Sequence, residues 1–328
     1  MSPGLRAGVF AREVSVVVPV YNAETSLQEL ASQLDAVLTG AGLDWELILV
    51  NDGSSDQSWK VIERLAAGSK RIRGLGLMRN YGQHNALLCG IRAACGAIVV
   101  TMDDDLQHPA EEVPRLLAKL AEGHDVVYGY PRHERRGMWR YLASRITKIA
   151  LSSTMGIKAA RHVSAFRAFT TDLRDAFATY HGPFVSIDVL LAWGSRRFAA
   201  IDVEHRESAT GTSSYTFLKL TQHALNMMTG FSTMPLQFAS LMGFTFTLMG
   251  GLVLVYVVGR YVIQGGSVPG FPFLASIIAV FSGVQLFALG VIGEYLARMH
   301  FRMMDRPTYV VRTDTSDGTA EERDVRAV

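Results

Sequence analysis

Three adjacent carboxylates are the strongest chemical signal in this sequence, and they come directly after an apolar run. The segment Thr101–Pro109 reads Thr-Met-Asp-Asp-Asp-Leu-Gln-His-Pro and follows Ala97-Ile98-Val99-Val100. A short β-branched run that ends in a polar cluster is typical of a buried strand leading into a site. Neighbouring carboxylates repel one another, and a divalent cation offsets that repulsion. Their hard oxygen atoms suit Mg²⁺ or Mn²⁺, and Mg²⁺ is usually held by one or two carboxylates together with substrate phosphates.

The acidic side chains are expected to divide between two faces. Side chains alternate along a strand, so Asp103 and Asp105 should point together and Asp104 should point away from them. Pro109 then suits the first turn of a helix, and Glu111 suits the positive end of that helix. A solvated acidic loop is the alternative interpretation of the same residues.

Segments with the patterns of strands and helices alternate through the first 130 residues with short connections. The predicted strands are Val14–Val20, Trp45–Val50, Ile72–Met78, Ala97–Met102 and Val126–Tyr128, and the predicted helices are Glu24–Leu38, Gln57–Ala67, Gly82–Cys95 and Ala110–Glu122. This order predicts a mostly parallel α/β sheet, whose ligands collect at the carboxyl ends of the strands. Tyr21, Asn22 and Asp52 lie at such ends, so one cleft is expected to gather them with the acidic cluster.

Composition limits the kinds of partner that the chain is expected to have. Its 328 residues carry a formal net charge of +2, so no nucleic acid partner is indicated. Cys89 and Cys95 lack the spacing of metal ligands and are interpreted as small buried hydrophobic residues. The first thirteen residues contain no apolar core segment, so no secretory signal is expected and the N-terminal domain should remain in the cytoplasm.

Two uncharged stretches near the C-terminal end are each long enough to cross a membrane. Leu236–Gly259 and Phe271–Gly293 hold about 23 residues each, enough for a helix to span a hydrocarbon core of ~30 Å. The link between them is short, so they are expected to form a hairpin. Three arginines follow the second stretch, against one in the link, which places both chain ends in the cytoplasm. Small residues in these stretches would allow close packing between copies.

Three further segments are interpreted from charge and periodicity. Arg132–Lys148 is basic, and Arg140 and Ser144 within it are four residues apart and share a helix face. This segment is either a phosphate-binding surface beside anionic lipid or a solvated basic face. Residues 211–234 have apolar side chains at helical spacing, which indicates an interfacial helix or packing on the soluble domain. The tail after Arg312 is polar and is expected to be disordered.

The order of several motifs resembles one known family. Val16–Asn22, Asn51–Asp56, Arg79–His84 and Met102–Pro109 resemble the inverting family-two glycosyltransferases of the GT-A fold. The segment from Gly293-Glu294-Tyr295-Leu296 through Arg306-Pro307-Thr308-Tyr309 is similar to the end of the polyprenyl-phosphate glycosyltransferases. That group includes dolichyl-phosphate mannose synthase, the GtrB glucosyltransferases and the ArnC aminoarabinose-precursor transferases. The resemblance covers roughly residues 14–312 and, with the two-span hairpin, is specific.

The resemblance implies a domain organisation and a reaction. The implied order is an N-terminal tail (1–13), a cytoplasmic Rossmann-like GT-A domain (14–210), an amphipathic interfacial helix (211–234), a transmembrane hairpin (235–297) and a cytoplasmic C-terminal segment (298–328). The implied reaction moves a sugar from a nucleoside diphosphate, with UDP expected, to undecaprenyl or decaprenyl phosphate with inversion. Such enzymes work at the cytoplasmic face of the plasma membrane, where they make lipid-linked sugar donors for modification of cell-envelope glycans, and relatives form tetramers.

The resemblance also assigns roles to individual residues on the donor side. The implied nucleotide-binding residues are Pro19, Tyr21, Asn22, Glu24, Asp52 and Asp104. Asp103 is implied to face the nucleotide sugar and Asp105 to hold the metal ion on the diphosphate. Gln107 is implied to lie near the sugar or the metal.

On the acceptor side, the resemblance implies that Arg140 and Ser144 bind the lipid phosphate, with Arg206 as a further ligand. Arg140 is therefore counted as catalytic together with Asp103 and Asp105. The pair Phe166-Arg167 resembles a Phe-Arg pair beside the active site of relatives.

Three places depart from the pattern of relatives. Ser164-Ala165, close to His162, stands where relatives often have Gly-Asp or Ser-Gly, and Ser214 stands where they often have Lys or Asn. His162 stands where relatives often have an Asp that is sometimes proposed as a base, and Ser208 stands where they often have a basic residue. Because a lipid monophosphate is largely ionised at pH 7, the reaction needs no general base. A catalytically inactive membrane scaffold that binds a nucleotide sugar stays open as an alternative, as does a glycosyltransferase with a glycan acceptor. Polysaccharide synthases carry Gln-x-x-Arg-Trp, which this sequence lacks.

Overall fold

The computed structural model describes residues 12–131, 163–182, 185–206, 234–264, 270–304 and 306–316. The strands are β1 (Arg12–Val20), β2 (Trp45–Asn51), β3 (Ile72–Leu77), β4 (Gly96–Thr101), β5 (Val126–Pro131), β6 (Arg167–Thr170), β7 (Phe198–Val203) and β8 (Val311–Asp314). The α-helices are α1 (Leu27–Gly40), α2 (Ser58–Gly68), α3 (Gln83–Ala93), α4 (Val113–Ala121), α5 (Ile187–Gly194), α6 (Met234–Gln264) and α7 (Phe271–Met303). Two 3-10 segments, Ala110–Glu112 and Thr171–Phe177, precede α4 and follow β6.

The described strands form one mixed sheet in the order β7-β5-β6-β4-β1-β2-β3-β8. The pairs β1–β2, β1–β4 and β2–β3 are parallel, as the alternation of strands and helices predicts. The pair β5–β7 is also parallel, although the sequence did not predict β7. The pairs β4–β6, β5–β6 and β3–β8 are antiparallel. The α/β fold class is therefore confirmed. Strands β4, β1, β2 and β3 are parallel, β6 runs antiparallel to both of its neighbours inside the sheet, and β8 is an antiparallel edge strand.

Helices cover both faces of the sheet and bury two apolar layers. On one face, α1 places Leu27, Leu30, Leu34 and Leu38 at helical spacing against β1 and β2, together with α2 and α4. On the other face, α3 and α5 pack on the opposite side chains of the same strands. The strands that lead to the cleft are thus buried on both faces, which explains their β-branched composition.

Two apolar helices follow the sheet domain in the chain. Pro235–Ile263 and Val280–Met303 are long and apolar enough to cross a membrane, and both expose most of their side chains. The two helices contact each other at Gly250, where an added Cβ would lie 2.7 Å from Phe281 Cζ. The predicted span Leu236–Gly259 lies within the first of these segments, whereas Phe271–Gly293 lies within α7 but begins before Val280. Arg298 pairs with Glu294 at 2.6 Å.

Several expectations from the sequence were wrong. The chain after Arg312 is not disordered up to residue 316, because Val311–Asp314 forms the edge strand β8. Cys89 is buried as expected, but Cys95 is exposed. Strand β4 ends at Thr101 rather than at Met102, so the three aspartates lie in the loop beyond it. The alternation of a strand therefore does not govern their directions.

Candidate active site

The carboxyl ends of β1, β2 and β4 meet at one cleft of about 320 Å³. Its lining residues come from the ends of these three strands and from the segment after β3: Pro19, Val20, Tyr21, Asp52, Asn80, Gly82, Gln83, Asp103, Asp104 and Asp105. The predicted convergence of Tyr21 and Asp52 with the acidic cluster is confirmed. This is the edge at which open α/β sheets bind ligands.

The turn after β1 is held by polar contacts with both neighbouring strand ends. The backbone N–H of Tyr21 donates to Asp104 Oδ2 at 3.0 Å, and the N–H of Asn22 donates to Ser54 Oγ at 3.0 Å. The side-chain oxygen of Asn22 accepts a hydrogen bond from the N–H of Ser55 at 2.8 Å. Asn22 has a φ of 54°, a conformation that asparagine adopts more easily than most residues. The turn thereby leaves the ring of Tyr21 half exposed at the cleft.

The carboxylate of Asp52 joins the end of β2 to the loop that follows β3. Its carboxylate is buried and accepts hydrogen bonds from the backbone N–H groups of Tyr81 and Gly82, at 2.7 and 2.8 Å. Burial raises the pKa of Asp52, and the two N–H bonds oppose that rise. Gly53 makes the approach possible, because a Cβ there would lie 2.6 Å from the backbone N of Asn80. Asp52 therefore fixes the wall of the cleft that Asn80 and Gly82 provide.

Glu24 was predicted to line the nucleotide pocket, but it is not among the residues that line this cleft. Its carboxylate accepts a hydrogen bond from the N–H of Gln57 at 2.8 Å, at the start of α2. The N–H of Glu24 in turn donates to Asp56 Oδ2 at 3.2 Å. An acidic side chain at a helix N-terminus is stabilised by the exposed N–H groups there. Glu24 thus connects the turn after β1 to α2.

All three aspartates of the acidic cluster line the cleft, which corrects the expectation that Asp104 points away from the other two. Asp103 accepts a hydrogen bond from Gln83 Nε2 at 2.6 Å, and Asp104 accepts the Tyr21 N–H. Asp105 accepts the backbone N–H of Gln107 at 3.1 Å. Each carboxylate thus has a different partner, and the loop geometry gathers all three.

The acidic cluster is electrostatically costly without a cation. Burial, followed by the charges of Asp105 and Asp104, raises the pKa of Asp103 to about 7. Burial and the charge of Asp105 raise the pKa of Asp104 to about 6. Buried carboxylates that hold protons near neutrality gain stability from a nearby divalent cation. The oxygen donors at this site therefore fit Mg²⁺ or Mn²⁺.

Among the described residues, no group of three or more His, Cys, Asp or Glu side chains is arranged to hold a metal ion. One or two carboxylates of the acidic cluster, with the phosphate oxygens of a substrate, would form the usual ligand set of Mg²⁺ in proteins. Gln107 is not among the lining residues, and its metal role stays a prediction.

The segment after β7 is bound alongside the acidic loop. The N–H of Arg206 donates to the carbonyl of Gln107 at 2.9 Å, and its guanidinium lies 3.8 Å from the Glu111 carboxylate. The ring of His205 lies 5.2 Å from that of His108, which stacks on Phe166. The side chain of Arg206 is half exposed, so a cationic group is placed next to the acidic loop. Nothing in the charge pattern indicated the contact between these two segments.

Arg167 lies beneath the site rather than in the cleft. Its side chain is 2% exposed, forms an ion pair with Asp188 and donates to Thr101 Oγ1 at 3.0 Å. Asp188 also accepts a hydrogen bond from the Tyr128 hydroxyl at 3.0 Å. The positive charge of Arg167 lowers the pKa of Asp103 against the larger effect of burial. The sequence placed Arg167 beside the site, but gave no signal for Asp188.

Several predicted site residues lie outside the described residues. They are Arg140, Ser144, His162, Ser208 and the predicted interfacial helix at 211–234 up to residue 233, since Met234 begins α6. Their roles stay predictions.

Known proteins resemble the chain at the level of family, whole sequence and fold. The model of the family described as "Glycosyl transferase family 2" matches residues 15–180. An undecaprenyl-phosphate 4-deoxy-4-formamido-L-arabinose transferase of Pectobacterium carotovorum is 35% identical over 94% of this chain and 95% of the relative. The protein of the same name from Shewanella sediminis is 37% identical over 91% of each chain.

The fold also matches a solved structure. Glucosyl-3-phosphoglycerate synthase of Mycobacterium tuberculosis, in complex with Mn²⁺, UDP and glucosyl-3-phosphoglycerate, superposes with a TM-score of 0.51 at 22% identity. The match covers 67% of this chain and 78% of the synthase. At that identity the likeness shows the fold alone, which is the GT-A fold.

Proposed function

Because the chain belongs to glycosyl transferase family 2, among its polyprenyl-phosphate glycosyltransferases, we propose that it transfers a sugar from UDP to a polyprenyl phosphate with inversion. The observation that supports this most directly is the convergence of Tyr21, Asp52 and the acidic cluster on one cleft, in a chain that also has two apolar helices. The names of the curated relatives specify undecaprenyl phosphate as the acceptor.

The cleft has the properties that a nucleotide sugar requires. Its volume of about 320 Å³ falls at the lower end of the range for small-molecule sites. The half-exposed ring of Tyr21 offers an apolar face to a base, and the loop fixed by Asp52 lines the same cleft. UDP is bound in the solved synthase that shares this fold.

The acidic cluster fits a divalent cation. We assign the binding of this cation to Asp105 and Gln107, as the resemblance implies. When bound, Mg²⁺ or Mn²⁺ supplies Lewis-acid stabilisation of the departing diphosphate. Asp103 is oriented toward the sugar by Gln83, and Asp104 holds the backbone of Tyr21. These contacts keep the donor-binding groups in place before substrate binds.

The acceptor needs little proton chemistry. A lipid phosphate has a second pKa near 6, so its oxygen is a competent nucleophile at pH 7. We assign the acceptor phosphate to Arg206, together with Arg140 and Ser144, since paired cationic groups offset repulsion from the diphosphate. Attack on the anomeric carbon from the side opposite the diphosphate inverts its configuration. The two apolar helices then hold the site at the cytoplasmic bilayer surface, where the lipid acceptor lies.

The test is transfer of labelled sugar into an organic phase. The full chain in detergent is incubated with undecaprenyl phosphate, Mn²⁺ and either UDP-glucose or UDP-4-deoxy-4-formamido-L-arabinose. Wild type is expected to give lipid-extractable label, and Asp105→Asn is expected to lower the rate at least ~100-fold, as loss of a group that stabilises developing charge does. The anomeric configuration of the product, measured by NMR, tests inversion. Binding of UDP without transfer from either donor would favour the inactive scaffold.

A further inference from the structure

The strand β8 joins the end of the second apolar helix to the edge of the catalytic sheet. Helix α7 ends at Met303, and β8 begins at Val311 and pairs antiparallel with β3. In this register Leu75 lies opposite Asp314 and Gly76 opposite Thr313. A chain that leaves the membrane helices is thus built into the sheet that carries the cleft.

The edge of β3 is shaped to receive this strand. A Cβ on Gly76 would lie 2.3 Å from Thr313 Oγ1, and a Cβ on Gly74 would lie 3.1 Å from Thr315 Cγ2. The N–H of Gly74 donates to Thr315 Oγ1 at 2.8 Å, and the N–H of Thr315 donates to the Gly74 carbonyl at 3.0 Å. Gly76 therefore gives β8 the space to pair, whereas a Cβ on Gly74 would first meet the side chain of Ile62 in α2.

An ion pair reinforces this contact. The Nε of Arg73 donates a hydrogen bond to Asp314 Oδ1 at 3.1 Å, and its Nη2 donates one to Asp314 Oδ2 at 2.5 Å. The two side chains are 30% and 19% exposed. Bidentate pairs of arginine and carboxylate are among the strongest charge-assisted hydrogen bonds, and partial burial limits screening by salt. The pair supports the pairing of β8 with β3 at Leu75 and Asp314, and the register shifts farther along, between Gly76 and Leu77.

The paired edge continues into the wall of the cleft. The N–H of Met78 donates to the Val310 carbonyl at 3.0 Å, one residue beyond the end of β3. Asn80 and Gly82 follow and line the cleft, and the N–H of Gly82 is bound by Asp52. Three residues separate Met78 from Gly82.

A second contact joins the end of α3 to the C-terminal segment. Arg92, in the last turn of α3, lies with its guanidinium 5.7 Å from the ring of Tyr309 and donates to the Tyr180 carbonyl at 2.8 Å. Helix α3 begins at Gln83, the residue that contacts Asp103. The C-terminal segment thus contacts the chain before the cleft wall at Met78 and beyond it at Arg92, near the end of α3.

From these contacts we propose that β8 is a positioning element for the donor nucleotide. By pairing with β3, it holds the loop Met78–Gly82 in the conformation that the nucleotide requires, and it links that loop to the end of α7. The inference rests on the proposed function only in taking the ligand to be a nucleoside diphosphate. Since the lipid acceptor stays in the bilayer, this link also sets the donor at a defined position relative to the membrane helices.

The test compares the ion pairs at two edges of the same sheet. Asp314→Ala removes the pair with Arg73, and Asp125→Ala removes the bidentate pair with Arg197 near β5 and β7, away from the cleft. Affinity for UDP with Mn²⁺ is measured by titration calorimetry on the full chain in detergent, and KM is measured separately for donor and lipid. We expect Asp314→Ala to weaken UDP binding about five- to ten-fold and to raise the donor KM without raising the lipid KM. Asp125→Ala should leave both within about two-fold.

Exchanging the charges of Arg73 and Asp314 tests whether a loss of UDP affinity comes from lost positioning or from a general loss of stability. The double variant Arg73→Asp with Asp314→Arg restores an ion pair of reversed polarity and is expected to return UDP affinity to within about two-fold of wild type. Equal UDP affinity in the Asp314→Ala and Asp125→Ala variants would overturn this inference alone. Failure of the wild-type chain to bind UDP would overturn the proposed function and this inference together.

Discussion

Arg167 and Asp188 form an ion pair that is almost completely buried beneath the strand leading to the acidic cluster. Arg167 also donates to Thr101 at the end of β4, and Asp188 accepts the hydroxyl of Tyr128. Buried charges are tolerated only when paired and hydrogen-bonded, and here both conditions are met. The pair therefore anchors the end of β4 and places a positive charge under Asp103.

Removal of one partner should be strongly destabilising. We expect Asp188→Ala to lower the free energy of unfolding by ~3 to 5 kcal/mol, since it leaves the guanidinium of Arg167 buried without a counter-charge. The measurement is denaturant unfolding of the full chain in detergent.

The double variant Arg167→Met with Asp188→Leu provides the decisive comparison. It removes both charges, and it should recover most of the lost stability because no buried charge remains. If the double variant is as unstable as Asp188→Ala, shape rather than charge determines the effect.

Alanine substitutions at Gly53 and Gly42 test the role of the cleft wall, because both substitutions cause similar backbone strain. Both have positive φ, 68° and 71°, so alanine costs roughly 1 kcal/mol at either position. A Cβ at Gly42 meets open space, whereas one at Gly53 would lie 2.6 Å from the backbone N of Asn80. Gly53→Ala should therefore displace the Asn80 loop.

The expected result is a difference in nucleotide binding. We expect Gly53→Ala to weaken the affinity for UDP with Mn²⁺ at least about ten-fold, and Gly42→Ala to leave it unchanged although stability falls. Calorimetric titration measures the affinity, and thermal unfolding measures the stability. Equal losses of affinity in both variants would show that the loop next to Asp52 does not shape the pocket.

The contribution of Asp314 to stability should depend on pH in a defined direction. Burial alone would raise its pKa, but hydrogen bonds from Arg73 and Ser316 outweigh burial and hold the pKa of Asp314 below its usual value. A carboxyl group whose pKa is lowered by folding contributes stability above its unfolded pKa, near 3.9, and loses it as the pH falls toward the folded pKa.

Unfolding of wild type and Asp314→Asn across pH 3 to 7 measures this contribution. We expect wild type to be more stable by a constant amount above about pH 5, and the difference to shrink as the pH falls below about 4. A difference that grows toward acidic pH would contradict the assigned ion pair.

The sequence predicted those parts of the fold that are encoded by local patterns. The β-branched runs before Tyr21, Asp52 and Asp103 gave the central strands, and the uncharged stretches gave the two long helices. Strand β8 was missed because Val-Arg-Thr-Asp has no strand pattern by itself. It forms because Arg73 and Asp314, 241 positions apart, meet at an edge shaped by glycines.

The sequence predicted most residues of the candidate site but not the directions of all their side chains. The three aspartates were identified, but Asp104 was assigned to the wrong face because β4 ends two residues before Asp103. Glu24 was assigned to the pocket, although the N–H of Gln57 binds its carboxylate instead. In both cases the deciding contact is made with a segment distant in the chain, which no local pattern encodes.

Arg206 offers a test of acceptor recognition that spares the fold. Its backbone N–H binds the Gln107 carbonyl, a contact that alanine keeps, while its half-exposed guanidinium lies 3.8 Å from Glu111. We expect Arg206→Ala to raise the KM for undecaprenyl phosphate about ten-fold, the loss typical of one charge-assisted hydrogen bond, and to leave the KM for the UDP sugar unchanged.

Glu111→Gln is the matched control, because it breaks the same ion pair and keeps the guanidinium. Without its carboxylate partner, Arg206 is more available to an anionic lipid phosphate, so the lipid KM should stay constant or fall. A ten-fold rise of the lipid KM in both variants would mean that the Arg206–Glu111 pair shapes the loop. In that case the acceptor phosphate is bound by other cationic groups.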